Sequence, residues 1–221
     1  MTRRSTGPRW ALAAAVAAVA VTVAGFAVFG AGGHPTPVDT YVSTSSAGTP
    51  PASGLRQVHS PGRVDVDEEL HAGGCRVHVV DGSAGLVLPD RGCTPGSIDP
   101  AVTQANIAQT ICRPGYTGTV RPPESETGPA KHESLADYGM QYTPAIEYDH
   151  LVPLELGGAN AVSNLWPEPN TAGAHGTRNP KDAVENRLKE AVCAHQVTLT
   201  AAQQAIAADW TTALARLGVT P

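Results

Sequence analysis

The chain is short of positive charge. Its 221 residues carry 15 Lys and Arg against 20 Asp and Glu, a formal net charge of −5. The first 33 residues hold Arg3, Arg4 and Arg9 and no acid, which leaves 12 basic against 20 acidic side chains in the remainder, a net of −8. Such a chain gains nothing from long-range attraction to a polyanion, and this counts against a dedicated nucleic-acid binding protein. It counts less against an enzyme that grips a phosphate through a bound cation, because the metal brings its own charge. No internal repeat is visible. No pair among the four cysteines has the Cys-x-x-Cys spacing of a zinc ribbon.

The long hydrophobic run is N-terminal. A basic head, residues 1–9, precedes an uncharged Ala- and Val-rich stretch that continues to residue 33. That pattern reads as a signal peptide or a membrane anchor: the length suits a span, and the small residues 30–33 suit cleavage. Either way the positive-inside rule places the rest of the chain outside the cytoplasm, so the protein is exported, secreted or membrane-anchored. An even number of cysteines fits an oxidising compartment. Three pairings can be drawn from four cysteines. The favoured one joins Cys75 to Cys93 as a local staple and Cys112 to Cys193 as the bridge between the ends of the domain.

Composition then divides the chain. Residues 34–61 are rich in Pro, Thr, Ser and Gly and read as a disordered linker. Residues 62–92 contain a small β-hairpin, with strands over 75–80 and 86–88 about the Asp81-Gly82 turn signal. Residues 93–221 form one α+β domain. Within it a capping acid before Pro100 starts a helix running to about Cys112. A strand is expected over 116–120, a short helix near 133–138, and a β-prone stretch over 146–156 broken by Gly157-Gly158. A helix opens at Pro180 and runs to about Val192. A capping box of Thr200 and Gln203 starts a last helix ending near Leu217, with Ile206, Trp210 and Leu214 on its buried face. Trp166 is expected in the core.

The chemistry concentrates in Glu147-Tyr148-Asp149-His150-Leu151-Val152-Pro153-Leu154-Glu155-Leu156-Gly157-Gly158, followed by Ser163-Asn164-Leu165. Phosphodiester hydrolysis needs a base that works near neutral pH, which a histidine supplies. It also needs hard oxygen ligands for a cation that stabilises charge on the phosphate and the leaving oxygen. Neighbouring residues on a strand face opposite ways, so a bend near Pro153 is expected to bring Asp149 and His150 to one site. Asn164 is expected across a hairpin, its carbonyl accepting the imidazole N–H, and the helix after Pro180 supplies the remaining ligand.

These blocks resemble the His-Me finger, or HNH-like ββα-metal, nucleases, whose usual pattern is Asp-His, Pro, Gly-Gly, Asn-Leu and a helix bearing the last ligand. Residues 93–217 resemble the HNH-like domain of exported actinobacterial proteins. The resemblance implies a metal-dependent endonuclease acting on nucleic acid, DNA favoured over RNA, with one divalent ion, Mg²⁺ before Mn²⁺ or another. It implies His150 as general base oriented by Asn164, and Asp149 as metal ligand. The second ligand is Asn186, with Asp182 and Glu185 as alternatives, because a long loop, residues 167–179, replaces the compact Cys-Asn-x-x-Lys ending of the common motif. Arg121, Lys181 and Arg187 are candidates for binding phosphate, and His175 in the Gly-rich loop is a loop residue near the site. Two other readings use the same residues: a non-catalytic cell-envelope protein on the same scaffold, and a hydrolase of a different phosphodiester.

Overall fold

A computed structural model describes residues 54–171 and 178–221, and these fall within one compact unit. The export segment, the linker up to residue 53, and His175 lie outside the described residues. Among the described residues no helix is long and apolar enough to cross a membrane.

Among the described residues the architecture is mixed α+β, with three two-stranded sheets and helices packed about them. Strand β1 (Arg56–Gln57) pairs in parallel with β4 (Ser97–Ile98). Residues 54–61, expected to belong to the linker, are therefore folded. Val58 N donates to the Ile98 carbonyl at 2.9 Å, and Ser60 is buried. The hairpin of β2 (His78–Asp81) and β3 (Leu86–Leu88) is antiparallel, as the alternation and the Asp-Gly turn predict. Both expected disulfides are formed, Cys75–Cys93 and Cys112–Cys193, a pattern compatible with an extracellular location.

Three expectations fail locally. The helix from Asp99 to Cys112 shrinks to a 3-10 turn at Gln104–Asn106. The Asn106 side chain takes over the backbone groups a helix would use, accepting from Thr103 N and donating to the Ala101 carbonyl, both at 2.8 Å. The expected strand over 116–120 is helix α1 (Tyr116–Val120), entered through Gly115 at φ +81°. Helix α2 (Glu124–Asp137) is far longer than the short helix expected near 133–138. Gly128 and Pro129 read as breakers, yet Pro129 removes a single N–H in an exposed turn, and Glu124 and Glu126 favour the positive end of the helix.

The centre of the molecule is the antiparallel pair β5 (Ile146–His150) and β6 (Leu165–Pro169), in register from Ile146 opposite Pro169 to His150 opposite Leu165. The connection doubles back so tightly that Gly158 has no room for a side chain: a Cβ there would meet the Val152 carbonyl oxygen at 1.7 Å. Gly157, at φ +73°, ends the 3-10 turn Leu154–Leu156. Helix α3 (Lys181–Cys193) opens after Pro180 as expected and buries Leu188 and Val192. Helix α4 (Leu199–Asp209) is capped by Thr198, two residues before the expected Thr200, while Gln203 turns inward to donate to the Leu156 carbonyl at 2.9 Å. It stops at Asp209, whose carboxylate accepts from the Thr211 backbone and hydroxyl. A separate short helix, α5 (Ala213–Arg216), carries the partly buried Leu214. Trp166, Ile206 and Trp210 are core residues as predicted, and the Trp210 indole donates to the Val87 carbonyl at 2.7 Å.

Candidate functional site

Strand β5 runs in regular register through His150, so Asp149 and His150 project to opposite faces. The bend expected to unite them begins one residue too late. Two distinct polar assemblies result, one on each face.

On one face, Asp149, Glu168 of β6 and Glu185 of α3 converge on the ammonium group of Lys181. The Lys181 Nζ lies 2.5 Å from Asp149 Oδ2 and 3.6 Å from Glu168 Oε2, and it also pairs with Glu185. Lys181 is 0 % exposed. Burial disfavours the charged form of Asp149, but Lys181, Glu168 and His150 together outweigh it and hold this carboxyl below the usual range. Burial pushes Glu168 well up, and pushes Glu185 up to about 8 against the pull of Lys181. For Lys181 itself, burial opposes the charge while the three carboxylates more than restore it, so its pKa lies well above the ordinary value. The cluster thus sets one ammonium among three carboxyl groups, one held below and two held above their usual range. Lys181, expected to bind phosphate, is an internal counter-ion with no access to a substrate.

On the other face lies His150, 5 % exposed. Its Nε2 is 2.9 Å from Asn160 Oδ1. The Asn160 amide nitrogen donates to the carbonyls of Ser60 at 2.7 Å and Val120 at 2.9 Å, which fixes the orientation of the amide and leaves its oxygen towards the imidazole. An acceptor at Nε2 requires that Nε2 carry the hydrogen, so the neutral ring holds its lone pair on Nδ1. Burial pushes the pKa of His150 down to about 4, partly offset by Asp149 and Asn160 and reinforced by Arg121 and Lys181. At neutral pH the ring is an uncharged proton acceptor of fixed tautomer.

Asn164 does not hold the imidazole, and this corrects its expected role. It is buried, its amide nitrogen donates to the Val152 and Ala159 carbonyls at 2.9 Å, and its amide oxygen accepts from Val152 N at 2.9 Å. It braces the turn after His150; Asn160 orients the ring. A buried-site amide directly after Gly157-Gly158-Ala159 was the available signal, masked by the better-known Asn-Leu pattern downstream.

Beside His150 opens a cavity of about 440 Å³, lined among others by Arg121, Lys131, His132, Tyr142 and Glu147. Burial first, and then Asp149 and Asp182, push Glu147 up to about 7. Arg121 is brought to this cavity as a phosphate-binding candidate. Arg187 is not: it donates to the Thr220 carbonyl and pairs with Glu190, tying α3 to the C-terminus.

The helix candidates for a metal ligand also separate. Asn186 is exposed and its amide donates to the Asp182 carbonyl at 2.8 Å. Asp182 accepts from Asn179 N at 3.1 Å at the start of α3. Only Glu185 reaches the surroundings of Asp149. The donor chemistry there is that of a hard-cation site, and both Glu168 oxygens are buried without a hydrogen-bond partner. The point where the carboxylates meet is nonetheless filled by the Lys181 ammonium, and among the described residues no three His, Cys, Asp or Glu side chains are arranged to hold a metal ion. As arranged, these residues do not fit the expected divalent ion.

No family model matches the chain, and no curated protein and no solved structure matches it.

Proposed function

We propose that the chain is an exported phosphodiester hydrolase acting on nucleic acid, DNA foremost, with His150 as the general base. The observation that carries this reading is the Asn160-fixed tautomer of His150, which keeps an uncharged imidazole beside the Arg121 cavity with its lone pair on Nδ1. Nδ1 of His150 takes a proton from water as the water oxygen bonds to phosphorus, and the bond from phosphorus to the leaving ester oxygen breaks. The released oxygen takes a proton from solvent, and Arg121 supplies positive charge where the phosphate gathers negative charge. The ordered Asp-His, Gly-Gly and Asn-Leu blocks, and their resemblance to His-Me finger nucleases, support the same reading. It includes the expected dependence on Mg²⁺ or Mn²⁺ as a question for the assay, and no step is drawn through the ion.

One observation favours the alternative of a non-catalytic envelope protein: Asp149, the expected metal ligand, is committed to Lys181. A single experiment separates the two. The full chain, produced under oxidising conditions, is assayed for plasmid nicking and oligonucleotide cleavage with Mg²⁺, with Mn²⁺ and with chelator. His150→Ala is expected to lower the rate about a hundredfold or more, with its fold verified by circular dichroism. Burial pushes His150 down to about 4, so protonation of the base is expected to lower kcat/KM only towards pH 4, while a change near pH 7 reports Glu147, which lines the same cavity and is pushed up to about 7. Cleavage that survives His150→Ala moves the site elsewhere; no cleavage of any nucleic acid under any of these conditions leaves the envelope protein.

A further inference from the structure

We propose that Tyr142, steadied by Lys131 and His132, forms a stacking subsite for an unpaired nucleobase at the His150 cavity, so that the substrate is single-stranded nucleic acid. This deepens the reading above and rests on it. Tyr142 is 60 % exposed and belongs to the few large hydrophobic side chains left open to solvent among the described residues. The others, Val66, Val79 and Val80, are aliphatic and lie away from His150's cavity; Tyr142 lines that cavity.

Its ring is held in place rather than loose. The Lys131 Nζ lies 5.1 Å from the ring centroid and donates to the Ile146 carbonyl at 2.5 Å. The His132 ring stands 5.8 Å away at an interplanar angle of 32°. Both partners come from α2, so the aromatic patch is built on a helix and anchored to the first residue of β5. An exposed aromatic of fixed orientation is a platform for another flat ring, and every base offers a π-face.

The charge balance argues the same way. With a net of −8 outside the first 33 residues, the chain has little general attraction for a phosphate backbone. Glu124 and Glu147 line the very cavity that holds Arg121 and Lys131, so the local cations serve one or two phosphates, not a long polyanion. Affinity for a nucleic acid must then come from the bases. In a duplex the faces of interior bases are already stacked on their neighbours, which leaves a single strand as the fitting ligand. At about 440 Å³ the cavity lies within the range, about 300–1,000 Å³, of pockets that enclose small organic ligands. A phosphodiester without a base would make no use of Tyr142.

The test uses the full chain carrying His150→Ala, so that binding is read without turnover. Fluorescence anisotropy is measured with three labelled probes: an oligothymidine, an abasic oligonucleotide of equal length, and a duplex. The oligothymidine is expected to bind tightest, at least about tenfold above the abasic probe. Adding Tyr142→Ala should weaken the oligothymidine about tenfold and leave the abasic probe unchanged, while Tyr142→Phe keeps the affinity. Equal binding of oligothymidine and abasic probe, or an oligothymidine affinity indifferent to Tyr142→Ala, overturns the subsite. The cleavage assay keeps the two ideas apart. His150-dependent cleavage with a KM for single strands unmoved by Tyr142→Ala removes the subsite and keeps the hydrolase. Absence of both binding and cleavage of nucleic acid removes both.

Discussion

Replacing Lys181 by Met is expected to cost about 3–5 kcal/mol of stability at neutral pH, the usual penalty for taking one partner out of a buried ion pair. The methionine side chain matches much of the lysine stem, so the loss reports charge and not volume. Without the ammonium, Asp149, Glu168 and Glu185 face one another in a largely buried site. Each would then have a folded pKa above its unfolded value. A group of that kind stabilises the fold while protonated and loses the contribution as pH rises through the folded pKa. The deficit of Lys181→Met relative to wild type should therefore be larger at pH 8 than at pH 5, as read from urea unfolding at the two values. A second change, Glu185→Gln, should restore part of the loss at pH 8 by removing one of the crowded charges. If Lys181→Met matches the wild type within about 1 kcal/mol at pH 8, the ammonium is not the counter-ion described here.

Removing the Cys112–Cys193 bridge should cost about 4–5 kcal/mol, against about 3 for Cys75–Cys93, if loop-closure entropy governs. The two bridges close sequence separations of 81 and 18 residues. The long loop contains α1, α2, β5, β6 and nearly all of α3, which are the elements that place His150, Arg121, Lys131 and Lys181. Cys112→Ser with Cys193→Ser is expected to lower the melting temperature more than Cys75→Ser with Cys93→Ser. Thiol titration of the unfolded wild type checks that both bridges are formed to begin with. The reverse order of the two effects would mean that native packing around the hairpin, not closure of the long loop, sets the contribution.

The parts legible in the sequence are those governed by local rules. The β2–β3 hairpin follows from alternation and an Asp-Gly turn, α3 from Pro180, and the core place of Trp210 from its helical spacing with Ile206 and Leu214. The disulfide pairing followed from a short and a long loop. What was not legible depends on side chains that meet only after folding. Asn106 diverts a helix into a turn by capturing the carbonyl of Ala101, and no propensity records that competition. Asn160 and Asn164 are the same residue type a few positions apart; which of them touches His150 is decided by Ser60 and Val120, far away in sequence. Lys181 looked like a surface cation beside a helix start, because its three carboxylate partners are spread over β5, β6 and the next turn of α3. Strand alternation was applied correctly to Asp149 and His150, and the bend expected to override it was not needed: the two residues belong to different assemblies.

The hydrogen bond from Asn160 to the Ser60 carbonyl has a consequence for where a working fragment can begin. The proton on His150 is set by an amide whose orientation depends on backbone contributed by the N-terminal arm. That arm is fastened further along by Asp65, which exchanges backbone bonds with Asn160 and Val162, and by Asp67, whose carboxylate accepts from the Ser163 backbone and hydroxyl. A chain begun at Cys93 would keep His150, its cavity and the Cys112–Cys193 bridge, yet lose the Ser60 carbonyl, leaving the Asn160 amide held by Val120 alone and readier to turn over and present N–H to the ring. The imidazole would then be offered a donor at Nε2, its hydrogen would move to Nδ1, and the lone pair would point at the wrong neighbour. A fragment that keeps both bonds from the Asn160 amide therefore begins ahead of Ser60 and not at Cys93. Trimming of the arm by an external protease would loosen the partner of the imidazole without touching a residue that lines the His150 cavity.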